Sequence, residues 1–302
     1  MNHIQYIQHV AIDKQKWDAC IERAVNSLIY AQSIYLDHMS EEWDALVYGN
    51  YEAVMPVTWR KKWGMRYMCQ PAFSQQLGLF YIDPLHKNLL PNFLQQLSAN
   101  FRLVEIFLNY DNTGSSEMQP AMNFVLPLHA DYESIKAGYK TDLHKNLKRT
   151  EKFNLQYHQL EDASAAVKMY REYYQQRMGA KPNDYDNFLA CIQKLMAEKK
   201  AIVRSVTQSN GALLATGIFA IDHQRIYNLA STTLPNGRMM EANHFLMDAL
   251  IREFAESGLT LDFEGSDQPG IAKFYQKFGS IPQPYYFWKI NRLPAILRWC
   301  KR

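Results

Sequence analysis

Two carboxylates and a tyrosine near the end of the chain form the clearest set of residues for acid–base chemistry. They lie in the stretch LTLDFEGSDQPGIAKFYQKFGSIPQPYYFWKI, from Leu259 to Ile290. Asp262 and Glu264 end or follow an apolar run that is typical of a buried strand, and ligands of open α/β sheets tend to lie beyond the carboxyl ends of strands. A carboxylate whose pKa is raised by apolar walls could act as a base, and Tyr275 could handle the returning proton. The same residues are also compatible with turn, capping and core roles.

A short helix is predicted to carry the tyrosine. Pro269 and Gly270 open it, and its apolar positions follow the i, i+3, i+4, i+7 spacing of one buried helix face. Those positions are Ile271, Phe274, Tyr275 and Phe278. Gly279 follows where a left-handed helix cap needs glycine, and PYYFWKI predicts a closing strand.

An anion site is predicted in the segment STTLPNGRMMEANHFLMDALI. A strand ends at Ser231–Thr233, a polar loop carries Asn236, Gly237 and Arg238, and a long helix follows. The first turn of such a helix presents free backbone N–H groups to a phosphate or pyrophosphate, and Arg238 adds a charge-assisted contact. An ordinary strand–helix connection explains these residues equally well.

A basic helix is predicted over YESIKAGYKTDLHKNLKRTEKFN, which carries Lys145, Lys148 and Arg149 among its cations. It is either a solvated surface or a cationic wall for a phosphorylated or polyanionic substrate. The net charge of the whole chain is only +3, which does not favour bulk nucleic-acid binding.

Composition and missing motifs narrow the range of functions. The chain has 302 residues, of which 47% are hydrophobic, so it is long enough for about two domains with sizeable cores. It contains no GxGxxG, no GK[ST] phosphate loop, no GxSxG and no HExxH, and its four cysteines are widely spaced. We therefore expect reduced thiols, no metal, no transmembrane segment and a cytoplasmic protein.

The predicted elements place these features in two similar units. A helix, antiparallel strands, a helix and a strand occur in that order twice, with a hairpin turn at Gly49-Asn50 in the first unit and a three-strand meander over residues 201–233 in the second. This order predicts a mixed α/β fold.

The stretch LDFEGSDQPGIAKFYQKFGS resembles the closing motif of GNAT acyltransferases, and more closely its FemAB-like branch of bacterial proteins with two tandem GNAT-like domains. WDALVYGNYEAVMPVTWRKKWGMRYMCQPAFSQQLGLF and YKTDLHKNLKRTEKFNL add to the resemblance, which spans roughly residues 15–290. It implies an N-terminal GNAT-like domain over residues 1–128, a basic connecting helix over 129–153, a C-terminal GNAT-like domain over 154–302, and a substrate cleft between the domains.

The resemblance also implies acyl or aminoacyl transfer to an amine, with Tyr275 protonating the leaving group. Glu264 is the hypothetical base. Coenzyme A or acyl-CoA would lie along residues implied to bind the cofactor: Leu229, Ala230, Ser231, Thr232, Asn236, Gly237, Arg238, Met239 and Met240. A small-molecule or peptide amine would meet residues expected to bind the substrate: Gln70, Gln75, Gln76, Lys145, Lys148, Arg149, Asp262 and Ser266.

Three alternatives stay open. PNGRMMEAN has one glycine where GNAT pyrophosphate loops have several, so the donor is alternatively a charged tRNA, as in Fem-type peptidyltransferases that act on cell-wall precursors. The chain is alternatively a non-catalytic binding protein on this scaffold. Finally, INRLPAILRWCKR is a short basic amphipathic pattern that either packs on the body of the protein or contacts a membrane surface weakly.

Overall fold

The computed structural model describes residues 3–62, 64–114, 117–265 and 268–294. Two compact units divide the chain: the first consists of Met1–Ala121 with Pro284–Arg302, and the second of Met122–Gln283. This division differs from the predicted boundaries because the final strand pairs within the first unit, and because the basic segment belongs to the second unit rather than forming a connection.

Fifteen strands are defined within the described residues. They are β1 (Ile4–Ile7), β2 (Glu42–Tyr48), β3 (Ala53–Lys62), β4 (Met65–Cys69), β5 (Phe80–Tyr81), β6 (Leu103–Leu108), β7 (Gln119–Ala121), β8 (Phe124–Pro127), β9 (Gln156–Leu160), β10 (Ala201–Thr207), β11 (Leu213–Ile221), β12 (Arg225–Thr233), β13 (Thr260–Asp262), β14 (Ile281–Pro282) and β15 (Tyr285–Asn291).

Ten α-helices and four short 3-10 helices lie in the same part of the chain. The α-helices are α1 (Lys14–Arg23), α2 (Ser33–Met39), α3 (Leu90–Asn100), α4 (Tyr132–Ala137), α5 (Thr141–Thr150), α6 (Ser164–Met178), α7 (Pro182–Ala197), α8 (Pro235–Met239), α9 (Ala242–Glu253) and α10 (Pro269–Gln276). The 3-10 helices are His9–Ala11, Ile29–Ala31, Pro84–Leu89 and Glu151–Phe153.

Each unit contains one mixed sheet, and the two sheets share a topology. The first has the order β1-β2-β3-β4-β6-β15-β7, with β5 paired to β3, and the second has the order β9-β10-β11-β12-β13-β8-β14. In each sheet an antiparallel series is followed by one parallel pair, β4 with β6 or β12 with β13. The α/β class with mixed sheets is therefore confirmed.

In each sheet, the strand that borders the parallel pair is not adjacent to that pair in the sequence. In the first sheet β6 is bordered by β15, from the end of the chain, whereas β8, which follows the first unit, borders β13 in the second sheet. The first unit thus takes a strand from a distant segment of the chain, whereas β8 lies at the start of the continuous segment that forms the second unit. The apolar residues of a segment predict that it forms a strand, but they do not specify the strand with which it pairs.

Each sheet packs against a helix through apolar side chains on one face of that helix. In the first unit Phe93, Leu94 and Leu97 of α3 pack with Val104 and Ile106 of β6 in one core cluster. In the second unit α9 contributes three buried residues to a cluster with β13 and α10, and these residues are Met247, Leu250 and Ile251. Each of these helices therefore buries apolar side chains in the core of its unit.

One predicted element was wrong in extent. The single basic helix is two helices, α4 and α5, separated at 138–140. Farther along the chain, Asp184 is the third residue of α7, and its carboxylate accepts the backbone N–H of Lys181 at the start of that helix.

Pro56 shows why a proline is tolerated inside a central strand. It pairs with Ala45 of β2 on one side. On the other side β5 pairs with Ala53 and Val54, and β4 with the stretch from Trp59 onward. Pro56 falls between these two ladders, where a missing N–H costs no ladder hydrogen bond.

Gly237→Ala is expected to lower the free energy of unfolding by about 1–3 kcal/mol, the cost of overpacking a tight contact. A Cβ at this position of α8 would lie 2.3 Å from the backbone oxygen of Leu214 and 3.1 Å from a methyl group of Thr233. Urea denaturation measures the loss. Gly270→Ala is the matched control, because a Cβ there meets nothing within 4 Å; equal effects in the two variants would contradict the packing argument.

Candidate active site

The candidate site begins where two parallel strands of the second unit part. β12 pairs with β13 through three residues only, Arg225–Tyr227 with Thr260–Asp262. β12 then continues to Thr233 with β11 on its other side, and a bulge at Leu229 interrupts that register. Within the described residues no strand pairs with the β13 side of 228–233, so its backbone groups on that side are available to a ligand.

A buried ion pair fixes the end of β13. Asp262 is 0% exposed, and its Oδ2 accepts from the guanidinium of Arg225, which is 6% exposed, at 3.1 Å. Its other oxygen accepts from the side-chain amide of Asn123 at 2.9 Å and from the backbone N–H of Glu264 at 2.9 Å. Asp262 was predicted to contact substrate, but the structure places its carboxylate beneath the turn, where it holds the backbone.

The chain turns immediately after Asp262, where β13 ends. Glu264 has a left-handed φ of 55°, and the N–H of Gly265 donates to Asn123 Oδ1 at 2.6 Å. A Cβ on Gly265 would lie 2.2 Å from the backbone oxygen of Met122, so only glycine fits here. Ser266, predicted to bind substrate, and Asp267 lie outside the described residues.

Glu264 differs from Asp262 although only one residue separates them. Burial raises the pKa of its carboxyl group well above the ordinary value. A carboxyl group in this state changes protonation closer to neutral pH than an exposed glutamate does, as a general base requires. The structure thus separates two carboxylates that the sequence presents as similar.

Tyr275 lies on α10 with its ring stacked on that of Phe263, at a centroid distance of 4.8 Å. Burial raises the pKa of its phenol, and Glu264 and Tyr170 raise it further, whereas a hydrogen bond from the Asn228 side chain lowers it. The phenol is therefore protonated at neutral pH and lies within electrostatic reach of Glu264. It therefore holds a proton that it can donate to a leaving group.

Sequence reasoning missed two of these neighbours. Asn228 is a polar residue within an otherwise apolar strand, and it is 7% exposed. Tyr170 belongs to a tyrosine-rich helix, α6, where its ring contacts that of Tyr174 at 5.0 Å. A buried asparagine between strand residues is a signal that could have been used, because a buried amide needs partners; the position of Tyr170 depends on tertiary packing alone.

The predicted cofactor residues fall into two groups. The side chains of Leu229, Ala230 and Thr232 are buried while Ser231 is partly exposed, so contact of this stretch with a ligand runs mainly through the backbone. The segment after it was predicted as a loop and is instead the one-turn helix α8, on which Asn236, Arg238 and Met239 are exposed and Met240 follows partly buried. Gly237 packs against the Leu214 backbone rather than opening space for a phosphate.

The first turn of α9 carries charged groups of its own. Its N-cap residue Glu241 has a left-handed φ of 58° and makes no side-chain capping hydrogen bond. The Glu241 carboxylate pairs with Arg149 of α5 and accepts from His244 Nδ1 at 2.9 Å. Burial lowers the pKa of His244, and Glu241 opposes that effect. A carboxylate therefore already occupies the neighbourhood where a pyrophosphate was predicted.

The remaining predicted substrate residues belong to other elements of the fold. In the first unit Gln70 bonds the Ser74 carbonyl and accepts from Phe107 N–H, while Gln76, which is 0% exposed, bonds Gln75 and accepts from the Tyr110 N–H. These glutamines tie a loop to β6. On α5 of the second unit, Lys145 and Lys148 are exposed.

No group of three or more His, Cys, Asp or Glu side chains within the described residues is arranged to hold a metal ion. None of the described helices combines the length and hydropathy needed to cross a membrane. The C-terminal tail, residues 295–302, lies outside the described residues, so its membrane contact stays a prediction.

Asp262→Ala is expected to lower the free energy of unfolding by about 3–5 kcal/mol, because it leaves the Arg225 charge buried without its partner. Chemical denaturation measures this loss. Asp131→Ala is the matched control: Asp131 is an exposed N-cap of α4, and a cap typically contributes about 1 kcal/mol. A loss at Asp262 no larger than that of the control would show that the ion pair does not stabilise the fold.

Glu264→Gln is expected to raise the melting temperature at neutral and alkaline pH and to leave it nearly unchanged in acid. Because the pKa of Glu264 is raised in the folded state, the unfolded chain loses this proton first as pH rises. Stability therefore falls from the unfolded pKa up to the folded pKa, and glutamine escapes that fall. Calorimetry across this pH range tests the sign. Glu256→Gln is the control, since Glu256 has a similar φ of 60° and is exposed; parallel curves for the two variants would refute the shift.

Comparisons with known proteins agree with this geometry. The family model of the acetyltransferase (GNAT) domain matches residues 138–275, which include β12, β13 and Tyr275. No curated protein matches the chain in sequence.

Solved structures extend the likeness over the whole chain. A crystal structure of FemX is similar with a TM-score of 0.66 at 11% identity, covering 98% of this chain and 99% of that one. L-PGS from Bacillus licheniformis has a TM-score of 0.52 at 12% identity, with 95% and 94% covered. Saccharomyces cerevisiae N-myristoyltransferase with bound myristoyl-CoA has a TM-score of 0.52 at 10% identity, with 95% and 82% covered. The chain therefore has a GNAT-like fold of the FemAB-like type, with two mixed α/β units, and its residues 138–275 match the model of the GNAT acetyltransferase domain.

Proposed function

We propose that the protein transfers an acyl group from an acyl-CoA thioester to the amine of a small molecule or peptide. The observation that carries this proposal is the parting of β12 from β13 with Glu264 and Tyr275 beside it. A strand with unpaired backbone groups can hold an acyl carbonyl, and an adjacent carboxyl–phenol pair can move the two protons that amide formation requires. The myristoyl-CoA in the N-myristoyltransferase structure supports a thioester donor.

The proposed reaction uses each group once. Glu264, directly or through a water molecule, takes a proton from the acceptor amine, whose nitrogen then attacks the carbonyl carbon. Backbone N–H groups of the strand stretch 228–232 stabilise the oxyanion. As the carbon–sulfur bond breaks, Tyr275 gives its phenolic proton to the thiolate. The proton held by Glu264 returns to the Tyr275 phenolate, because the two groups interact electrostatically, and the site is reset.

A second candidate donor is an aminoacyl-tRNA, and the start of α9 favours it. The Glu241 carboxylate lies at this helix start and would repel a pyrophosphate, while α8 replaces the glycine-rich loop. The exposed Lys145 and Lys148 on α5 offer cations to a nucleic-acid backbone. The likeness to FemX in fold agrees with this donor. The chemistry at Tyr275 is the same, with a ribose hydroxyl as the leaving group.

The donor is identified by offering both classes to the same protein. Free thiol release from acetyl-CoA and longer acyl-CoA thioesters is measured against deacylation of aminoacyl-tRNA, each with a panel of primary amines. Titration calorimetry with coenzyme A measures binding separately. The double variant Lys145→Glu/Lys148→Glu is expected to weaken tRNA binding and its salt dependence and to leave coenzyme A binding unchanged. Binding of neither donor would contradict acyl transfer and favour a non-catalytic binding role.

Tyr275→Phe is expected to lower the turnover of the active donor by about 10²–10⁴-fold, the usual contribution of a general acid. The substitution removes the proton donor but keeps the ring that stacks on Phe263. Steady-state kinetics measures the loss, and thermal denaturation checks the fold. Tyr173→Phe is the control, because Tyr173 is 39% exposed on α6. A wild-type rate in Tyr275→Phe would exclude Tyr275 as the acid.

A further inference from the structure

Four side chains close a hydrogen-bonded cycle between α5 and α9. The Arg149 guanidinium donates to Asn146 Oδ1 at 2.6 Å and also pairs with the Glu241 carboxylate. Asn146 Nδ2 lies 3.2 Å from His244 Nε2, and His244 Nδ1 lies 2.9 Å from Glu241 Oε2. Arg149 and Asn146 belong to α5, whereas Glu241 is the N-cap of α9 and His244 lies in its first turn. The cycle therefore joins the two helices.

The Arg149 guanidinium fixes the direction of the hydrogen bonds in the cycle. A guanidinium can only donate, so the Asn146 atom that it contacts must be the amide oxygen. The other end of that amide is the NH₂ group, which also can only donate, and His244 Nε2 must accept from it. A ring nitrogen that accepts carries no proton, so the imidazole carries its proton on Nδ1 and donates it to Glu241. His244 is therefore neutral in the closed cycle, in one defined tautomer.

The imidazole of His244 packs against aromatic side chains of α10 and of the residues that follow it. His244 is nearly buried, and its ring centroid lies 4.9 Å from that of Phe274 and 6.4 Å from that of Phe278. Poor solvation of this kind disfavours the charged form of an imidazole.

Charged groups face His244 from α5, from the start of α9 and from the residue after α10. They are Asp142, Arg149, Glu241 and Lys277. Each of the two carboxylates has a cation: Arg149 pairs with Glu241. Lys277 pairs with Asp142 at 2.9 Å. Burial lowers the pKa of His244; the two carboxylates oppose that effect, and Lys277 adds to it. The surroundings therefore favour the neutral form at neutral pH.

We propose that the cycle is a pH-sensitive latch between α5 and α9, closed while His244 is neutral and opened when Nε2 of His244 binds a proton. The new N–H points at the NH₂ group of Asn146, so two donors face each other. A flip of the amide turns its oxygen toward His244, but it sets the NH₂ group against the Arg149 guanidinium, which is again a donor. No orientation of Asn146 satisfies both neighbours, so the bond between Arg149 and Asn146 breaks.

Opening of the latch changes the basic surface of α5. The imidazolium also competes with Arg149 for the Glu241 carboxylate, because a charged donor forms the stronger hydrogen bond. Arg149 is exposed and turns to solvent, where it adds a cation to the surface that carries Lys145 and Lys148. The latch thus couples proton uptake to the charge that α5 presents. It is independent of the proposed acyl transfer, which uses other side chains.

Nitrogen nuclear magnetic resonance tests the latch in the wild-type protein, because protonated and bare imidazole nitrogens resonate far apart. The His244 signals are assigned by their loss in His244→Phe. At neutral pH, Nδ1 is expected to be protonated and Nε2 bare. As the pH falls below about 6.5, the ordinary pKa of histidine, Nε2 is expected to gain a proton and the Arg149 side-chain signals to shift with the same midpoint. A proton on Nε2 at neutral pH, or Arg149 signals that stay in place while His244 titrates, would overturn the proposal.

Asn146→Asp is expected to reverse the response of the latch. A carboxylate at this position accepts from Arg149 and from a protonated His244 at once, so the cycle closes in acid. The midpoint of His244 titration is expected to rise by about 1–3 pH units, the usual effect of an adjacent opposite charge. Asn154→Asp is the matched control, because Asn154 is exposed beyond the end of α5 and adds the same charge outside the cycle. Equal midpoints in the two variants would contradict the proposed direction of the bonds.

Amide hydrogen exchange shows whether the latch holds α5 in place. Protection factors in α5 of the wild-type protein are expected to fall as the pH drops through the His244 midpoint, and to be retained in Asn146→Asp, whose cycle closes in acid. Helix α7, which contains no histidine, supplies the reference within the same sample. Protection in α5 that follows that of α7 through the His244 midpoint would show that the cycle does not hold the helix and would refute the latch.

Discussion

The ion pair between Asp262 and Arg225 is the interaction on which the site depends. It joins the last residue of β13 to the first residue of β12, so the two parallel strands are tied together over the three residues that they share. Buried ion pairs seldom add much stability over apolar packing, but they discriminate strongly against other arrangements, since either charge alone is costly to bury. Here the pair fixes where β13 stops. The unpaired length of β12, the turn at Glu264 and the approach of α10 all follow from that point.

The turn places the carboxyl groups of Asp262 and Glu264 in different surroundings. The Asp262 carboxylate is saturated by an arginine, an asparagine amide and a backbone N–H, so it is a fixed charge. Burial raises the pKa of the Glu264 carboxyl group well above its ordinary value. Because Glu264 in turn raises the pKa of Tyr275, the turn couples a base to an acid. Separation of two carboxyl groups by their surroundings is a common way to assign proton-transfer roles within one fold.

The sequence predicted the parts of this region that depend on local helix geometry. It did not predict the parts that depend on contacts between residues distant in the chain. The apolar spacing of α10 and the left-handed Gly279 follow from helix geometry, and both are present. The same spacing gave Ile271 as buried, yet it is 39% exposed, because a stripe marks a face without showing how deeply each end is covered. The effect of Asn228 on the pKa of Tyr275 involves residues far apart in the chain, and no local pattern encodes it. Gly237 illustrates a further limit, since a glycine needed for packing looks like one needed for phosphate approach until its neighbours are known.

The placement of β15 has a consequence for synthesis of the protein. Ile106 of β6 pairs with Trp288 of β15, so the sheet of the first unit cannot be completed until almost the entire chain has left the ribosome. Until then the apolar edge of β6 stays open, although its own segment was made early. Pairings of such large sequence separation fold slowly and leave strand edges exposed to wrong partners. Truncation within β15 is therefore expected to harm the first unit rather than the unit that carries Tyr275.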